Sequence, residues 1–538
     1  RLPIPGEVSV NLPAVLVGDT TVRDVRLSAE PAEGGWNVRS AAATLPGRAT
    51  LEAEGFLHTD ETLGFDGSLL LAVGQPSGFA AWLAKDIDEA IRRLPKAGFS
   101  AKVVLTPERQ QFNDLELILG EARFTGEIES RQPANARPAA YVRLEGGAVD
   151  EATLSALASL LVNDSGNARF PEMGVDAEIG AGPVTVAGLT AGRVDTALRL
   201  RRAQLEIDRL SISDLAGASV SATGSLSDFP DRPAGQIDAS IISVDLEPLV
   251  TAAATAHPES PVIAGIARHL TSHPGLLADA RIDVVASLAT DKDDKASLAV
   301  SLQGEAGGTL LSANLSSSGN PARPRDMPFS LTLSARNAEG APLLALAGLP
   351  VLPVASPGGG ELALSLDGSL AGGMKSKAEL RGEGLLATFS GATSLDDDGT
   401  SAKGAVRLSS SDIEPWLLSL GASYPGLGLG LAVELDAQAD FANDLLVLEG
   451  IRGALGEVSV AGDLNVRLAN GQRDISGALV LDEITLDPFA ETVFGQEALS
   501  PSERMWPEAP FSPAAAPPFF ADVGITASRV HAGGADLS

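Results

Sequence analysis

Leu115-Glu116-Leu117-Ile118-Leu119-Gly120-Glu121-Ala122-Arg123-Phe124-Thr125-Gly126-Glu127-Ile128 alternates apolar and polar residues on both sides of the Gly120-Glu121 pair. A period of two puts successive side chains on opposite faces of a strand. A two-residue junction between two such runs is the signature of a tight antiparallel hairpin. Gly126 inside the second run would weaken a plain strand, so it reads as a bulge or a tight bend.

The same signature recurs. Val458-Ser459-Val460-Ala461-Gly462-Asp463-Leu464, Val220-Ser221-Ala222-Thr223-Gly224-Ser225-Leu226, Leu51-Glu52-Ala53-Glu54-Gly55-Phe56-Leu57 and, more loosely, Ala387-Thr388-Phe389-Ser390-Gly391 each run alternately into a glycine. Downstream comes an acidic residue with Pro: Asp245-Leu246-Glu247-Pro248, Asp412-Ile413-Glu414-Pro415 and Leu486-Asp487-Pro488-Phe489. Pro in a first helical turn after an acid marks a helix start. Gly224 to Pro248 and Gly391 to Pro415 both span 24 residues, Gly462 to Pro488 spans 26, and Gly126 to Glu151 spans 25. So regular a spacing makes strands plus one short helix the repeating element, with a degenerate copy at Leu310 to Leu349.

The expected fold is therefore mainly β with short helices, an elongated repetitive antiparallel sheet curled into an apolar, taco-like groove. Residues 1–538 read as one continuous region with approximate units 1–95, 96–165, 166–275, 276–350, 351–425 and 426–500, and 501–538 opening a further one. Phe79 to Leu94 reads as an amphipathic helix with Phe79, Leu83, Ile87, Ile91 and Leu94 on one stripe. Leu246 to Ser272 is broken by Pro258 and Pro261 into two helices, and Ala289 to Lys295, Gly319 to Met327, Pro353 to Gly360 and Pro507 to Pro518 are connectors.

Composition agrees with this architecture. Hydrophobic residues make up 44% of the 538 but aromatics only 4%, which is poor material for compact cores built on large rings. Gly at 57 and Pro at 34 supply many turns. A net charge of −31, from 70 acidic and 39 basic residues, repels phosphate backbones and argues against a nucleic-acid partner. It equally disfavours lying flat on an anionic leaflet, so any lipid contact belongs inside a groove. Absence of cysteine excludes disulfides, thiolate nucleophiles and Cys-ligated metals, and is compatible with an oxidising compartment. Arg1-Leu2-Pro3-Ile4-Pro5 has neither an initiator Met nor a signal-peptide core, and the C-terminal end stops inside an alternating pattern. The chain is expected to be part of a longer protein whose membrane anchor lies elsewhere.

Little carries chemistry. His269 and His273 stand i, i+4 with His257 upstream, a spacing that can hold a metal. Pro274 follows them and no Glu occupies the metalloprotease position, so two solvated imidazoles are expected and no metal site is assigned. Asp291, Asp293 and Asp294, and Asp396, Asp397 and Asp398, lack the ligand order of a calcium loop and read as solvated turns. No nucleophile elbow, phosphate-binding loop or dinucleotide fingerprint occurs, so the chain is expected not to be an enzyme, with no catalytic residue and no cofactor.

What remains is the apolar strand face itself. Its candidate lining residues are Leu51, Ala53, Leu115, Leu117, Leu119, Ala122, Phe124, Ile128, Val220, Ala222, Leu226, Phe389, Val458, Val460 and Leu464. Alternating strands ordinarily bury such a face in a core. Short helices and few aromatics, however, do not supply a second layer to cover every sheet. An uncovered apolar face implies a ligand or a partner.

The alternating Leu strands, the Gly-x-Leu strand end and the acidic-Pro helix together resemble the AsmA/TamB-like family of bacterial envelope proteins. The resemblance runs from about Leu45 to Leu486 and includes Ser528-Arg529-Val530-His531-Ala532-Gly533-Gly534. It implies a periplasmic protein anchored in the inner membrane by a segment outside this chain, whose groove carries phospholipid or another acyl lipid toward the outer membrane or assists outer-membrane assembly. An outer-membrane or envelope protein partner is also implied. The alternative is a structural or assembly scaffold whose sheet takes up a protein strand by β-augmentation.

Overall fold

Strands account for 67% of the protein and helices for 13% in the computed structural model, so backbone hydrogen bonding is overwhelmingly between strands. Described are residues 6–17, 20–60, 62–83, 89–133, 137–159, 173–258, 261–291, 295–349, 351–352, 357–396, 399–421, 428, 430–469, 472–486, 519–532 and 535–537. They fall into two compact units, residues 1–258 with 283–294, and residues 259–282 with 295–538.

In the first unit each strand from Val8–Val17 to Ala139–Gly146 pairs antiparallel with its successor. Ala139–Gly146 then pairs parallel with Gly174–Ala181, and antiparallel order resumes through Leu189–Arg201, Gln204–Leu215 and Ala218–Ser227 to Ala234–Asp245. In the second unit antiparallel succession runs from Ala296–Ala306 to Gln472–Thr485, which pairs parallel with Phe519–Ala532. The sheet is thus mixed, a correction to the all-antiparallel expectation. Parallel neighbours need a long crossover that returns the chain to the end where it started. In the first unit the described part of the connection between Gly146 and Gly174 holds the helix Glu151–Ser159.

The hairpin at Gly120-Glu121 forms as the alternation demands, with Leu117 opposite Phe124 and Leu119 opposite Ala122. Gly126 has φ +154° and Gly462 φ +152°, a region essentially confined to glycine. A Cβ on Gly126 would stand 1.9 Å from the Arg143 carbonyl oxygen, and one on Gly462 2.1 Å from that of Ala478. The motif glycine therefore marks close approach of the next strand's backbone. The bulge lies one strand earlier, where Asp114 (φ +47°) and Gly450 (φ +61°) are the extra residues. The Gly450 N–H donates to Asp463 Oδ1 at 2.7 Å, across the bulge.

Seven helices are described: α1 (Pro76–Leu83), α2 (Glu89–Arg92), α3 (Glu151–Ser159), α4 (Glu247–Ala256), α5 (Pro261–Ser272), α6 (Gly340–Leu346) and α7 (Glu414–Ser419). The single helix expected over Phe79 to Leu94 is thus two described pieces, and the Asp487-Pro488 start lies outside the described residues. The acid of the acidic-Pro motif stands one residue before the N-cap, and its carboxylate satisfies an N–H of the first turn that has no helical partner. Asp245 Oδ1 accepts from the Glu247 N–H at 2.9 Å, and Asp412 Oδ1 from the Glu414 N–H at 3.1 Å. Asp150 Oδ1 accepts from the Thr153 N–H at 2.8 Å, and hydrogen bonds from the Thr153 side chain and backbone hold its carboxyl below the usual range.

Gly126→Ala combines a conformation alanine resists with a backbone clash, so it is expected to lower unfolding stability by about 2–5 kcal/mol. Gly265→Ala in α5, where a Cβ meets nothing within 4 Å, is expected to be neutral or to gain about 0.5–1 kcal/mol. Urea midpoints of the two variants check both.

Candidate functional site: the apolar sheet face

Because the strands pair in register, residues of equal phase form rows across them. One row in the first unit runs Leu51, Leu71, Phe99, Leu117, Phe124, and continues through Ala181, Val194, Ile212, Val220 and Ile241. A row in the second unit runs Ala313, Leu333, Leu364, Ala378, Phe389, Val406 and Ala437. All the candidate residues of the first unit lie on that unit's apolar face, and Phe389, Val458, Val460 and Leu464 lie on that of the second.

Burial divides these candidates. Leu115, Leu119, Ala122, Phe124, Ala222 and Val460 are buried, Phe124 completely at 0% exposure. Phe124, Leu115, Leu119 and Ala122 belong to a packed cluster with Leu94 beside α2, Ala156 of α3, and Val103. They are core, so a charge at Phe124 or Val460 would unfold its surroundings rather than line an open path. Leu51, Ala53, Leu117, Ile128, Val220, Leu226, Phe389, Val458 and Leu464 are half-buried and remain partly accessible.

In the second unit the sealed part of the face lies where helices meet strand ends. Leu343 and Leu344 of α6 and Trp416 of α7 pack on Ala335, Leu380, Leu385 and Val433. The Trp416 ring lies over Gly382, where a Cβ would stand 2.2 Å from Cζ2, and its Nε1–H donates to the Glu383 carbonyl at 3.4 Å. Away from the helices, every residue of the row from Ala313 to Ala437 is half-buried.

The opposite face is mainly polar, with exposed Ile242, Leu310 and Val480 among its side chains, and carries cross-strand ion pairs: Arg143–Glu178 at 3.1 Å in the first unit, and Arg336–Glu361 at 3.1 Å and Arg407–Asp436 at 2.7 Å in the second. Exposed pairs of this kind are screened by solvent and stabilise only weakly. Cavities of about 610 and 570 Å³ in the second unit and about 470 Å³ in the first open on this face. Sequence reading did not anticipate them, since no motif marks them.

His269 and His273 are not the solvated pair expected. Their rings stand 4.6 Å apart, and His273 Nε2 hydrogen-bonds the Leu349 carbonyl at 3.1 Å, just beyond α6. His269 Nε2 is buried without a partner, and burial, reinforced by neighbouring His273, pushes the His269 imidazole below its ordinary 6.5. Among the described residues no three His, Asp or Glu side chains converge as metal ligands. Asp293, Asp294, Asp397 and Asp398 lie outside the described residues. No described helix is long and apolar enough to cross a membrane.

Compared with known proteins, the sequence matches no family model, no curated protein and no solved structure.

Phe124→Ala is expected to lower stability by about 3–5 kcal/mol through a cavity in the core, and Phe389→Ala by clearly less, because its site already meets solvent. Chemical denaturation of both measures the difference. His269 has a second consequence. With its folded value depressed, its unfolded form binds more protons, so the stability present above pH 6.5 is lost as pH falls through the folded value. Replacing it by Gln should flatten the drop in thermal midpoint between pH 7.5 and 5.5; an unchanged drop would refute that assignment.

Proposed function

We propose that the half-buried apolar face is an acyl-chain surface and that the protein carries lipid in the bacterial envelope, as the AsmA/TamB-like resemblance implies. The observation supporting this is the row Ala313, Leu333, Leu364, Ala378, Phe389, Val406, Ala437: apolar across seven strands and partly open, with the described helices of this unit packing where strands end. Each acyl CH₂ removed from water is worth about 0.8 kcal/mol, so a diacyl lipid in an aqueous gap needs such shelter. Aliphatic walls with few rings offer contact without a shaped pocket, which suits tails that must slide. In this reading the chain works in the periplasm, held to the inner membrane by a segment outside it, and performs no chemistry.

Native mass spectrometry of the whole chain tests the proposal. Phospholipid is expected to co-purify, and Val406→Asp or Phe389→Asp should reduce its occupancy several-fold. A carboxylate on the row either draws in water or shifts its pKa upward, and interrupts the apolar path. Ser316→Asp, on the hydrophilic face, should leave occupancy unchanged. Full lipid occupancy in folded row variants would end the lipid reading, and bound peptide in place of lipid would favour the strand-binding scaffold.

A further inference from the structure

On the hydrophilic face of the second unit, strand Gly373–Gly382 presents Lys375, Lys377, Glu379 and Arg381, alternating with Ser376, Ala378 and Leu380 on the other side. Glu379 is tied to Arg381, and nearby Arg336, Lys403 and Arg407 each hold a carboxylate. The Lys377 side chain makes no ion pair or hydrogen bond among the described residues. Its in-register neighbours are Ser365 and Ser390, with Thr332 and Asn314 beyond Ser365. These side chains line the cavity of about 610 Å³.

The Lys377 ammonium, like that of Lys375 on the same face, has no carboxylate partner among the described residues. Around it stand hydroxyls and an amide that can donate to an anion, and the one carboxylate lining the cavity, Glu379, is held by Arg381. A phosphate group fits this set better than a carboxylate, because it offers more oxygens to a lysine and several hydroxyl donors at once. The volume exceeds a bare ion, leaving room for a hydroxylated group whose oxygens would meet the remaining Ser and Thr side chains. We propose that this cavity binds the phosphate ester of a small polyol, either free in solution or as the exposed head group of an anionic phospholipid. The site lies on the face opposite the acyl-chain surface, so it stands or falls independently of the lipid-carrying role.

Isothermal titration of the whole chain with sn-glycerol 3-phosphate, and sedimentation with phosphatidylglycerol vesicles, test it and separate the two sources. Saturable glycerol phosphate binding is expected at low ionic strength, weakened at least tenfold in Lys377→Gln. Lys102→Gln, a lysine already paired with Asp114 at 2.8 Å in the first unit, should bind as the native chain does. Vesicle binding that depends on Lys377, without binding of the free ester, identifies the head group as the ligand and keeps the site. No saturable binding of either probe, or equal binding by Lys377→Gln, overturns the proposal. Lys377 is exposed, so its substitution leaves the fold intact, which circular dichroism of the variant checks.

Discussion

Register is the constraint on which everything else in this protein rests. A slip of one residue in any ladder would turn a whole apolar row to the hydrophilic side, because side chains alternate with a period of exactly two. Tight turns such as Gly120-Glu121 set the pairing at the hairpin, and bulges at Asp114 and Gly450 restore phase where the strands coil. The glycines facing them, Gly126 and Gly462, give up a side chain so that neighbouring backbone can come close. Ion pairs directly opposite one another, as at Arg407 and Asp436, favour the same register from the other face.

Given that register, the helices take on a limited task. The described helices are short and pack where strands end, with Leu343, Leu344 and Trp416 filling the second unit's core. Three of them start beside carboxylates one or two residues upstream, at Asp150, Asp245 and Asp412. Burial is consequently graded along the apolar face. Complete exclusion of water at Phe124 and half-burial at Phe389 are two ends of one surface type, and only the second kind is available to a ligand.

The two faces then divide the physics between them. Apolar rows offer non-directional contact roughly proportional to area, suited to a chain that moves. The hydrophilic face offers fixed donors and charges, and most of its cations are already neutralised by acids of the same face. Lys377 and Lys375 on the same strand have no carboxylate partner among the described residues, and the hydroxyl-lined cavity beside Lys377 is where a polar ligand is assigned.

Alternation, the Gly-x-Leu ending and the 24–26-residue spacing to the acidic helix start were local properties, and local properties are what a sequence states directly. From them followed the β class, the hairpin at Gly120-Glu121 and the sidedness of all fifteen candidate residues. Which strands run parallel was not legible, since that depends on where a long connection returns to the sheet. Nor could alternation separate Phe124 from Phe389: both occupy apolar positions, and only the packing of α2 and α3 against one of them makes it core. The bulge was assigned to the glycine because a glycine inside a strand is conspicuous, whereas Asp114 and Gly450 become bulges only through the strand they face. His269 and the cavity at Lys377 are tertiary in the same sense, assembled from residues distant in the chain whose proximity no local period encodes.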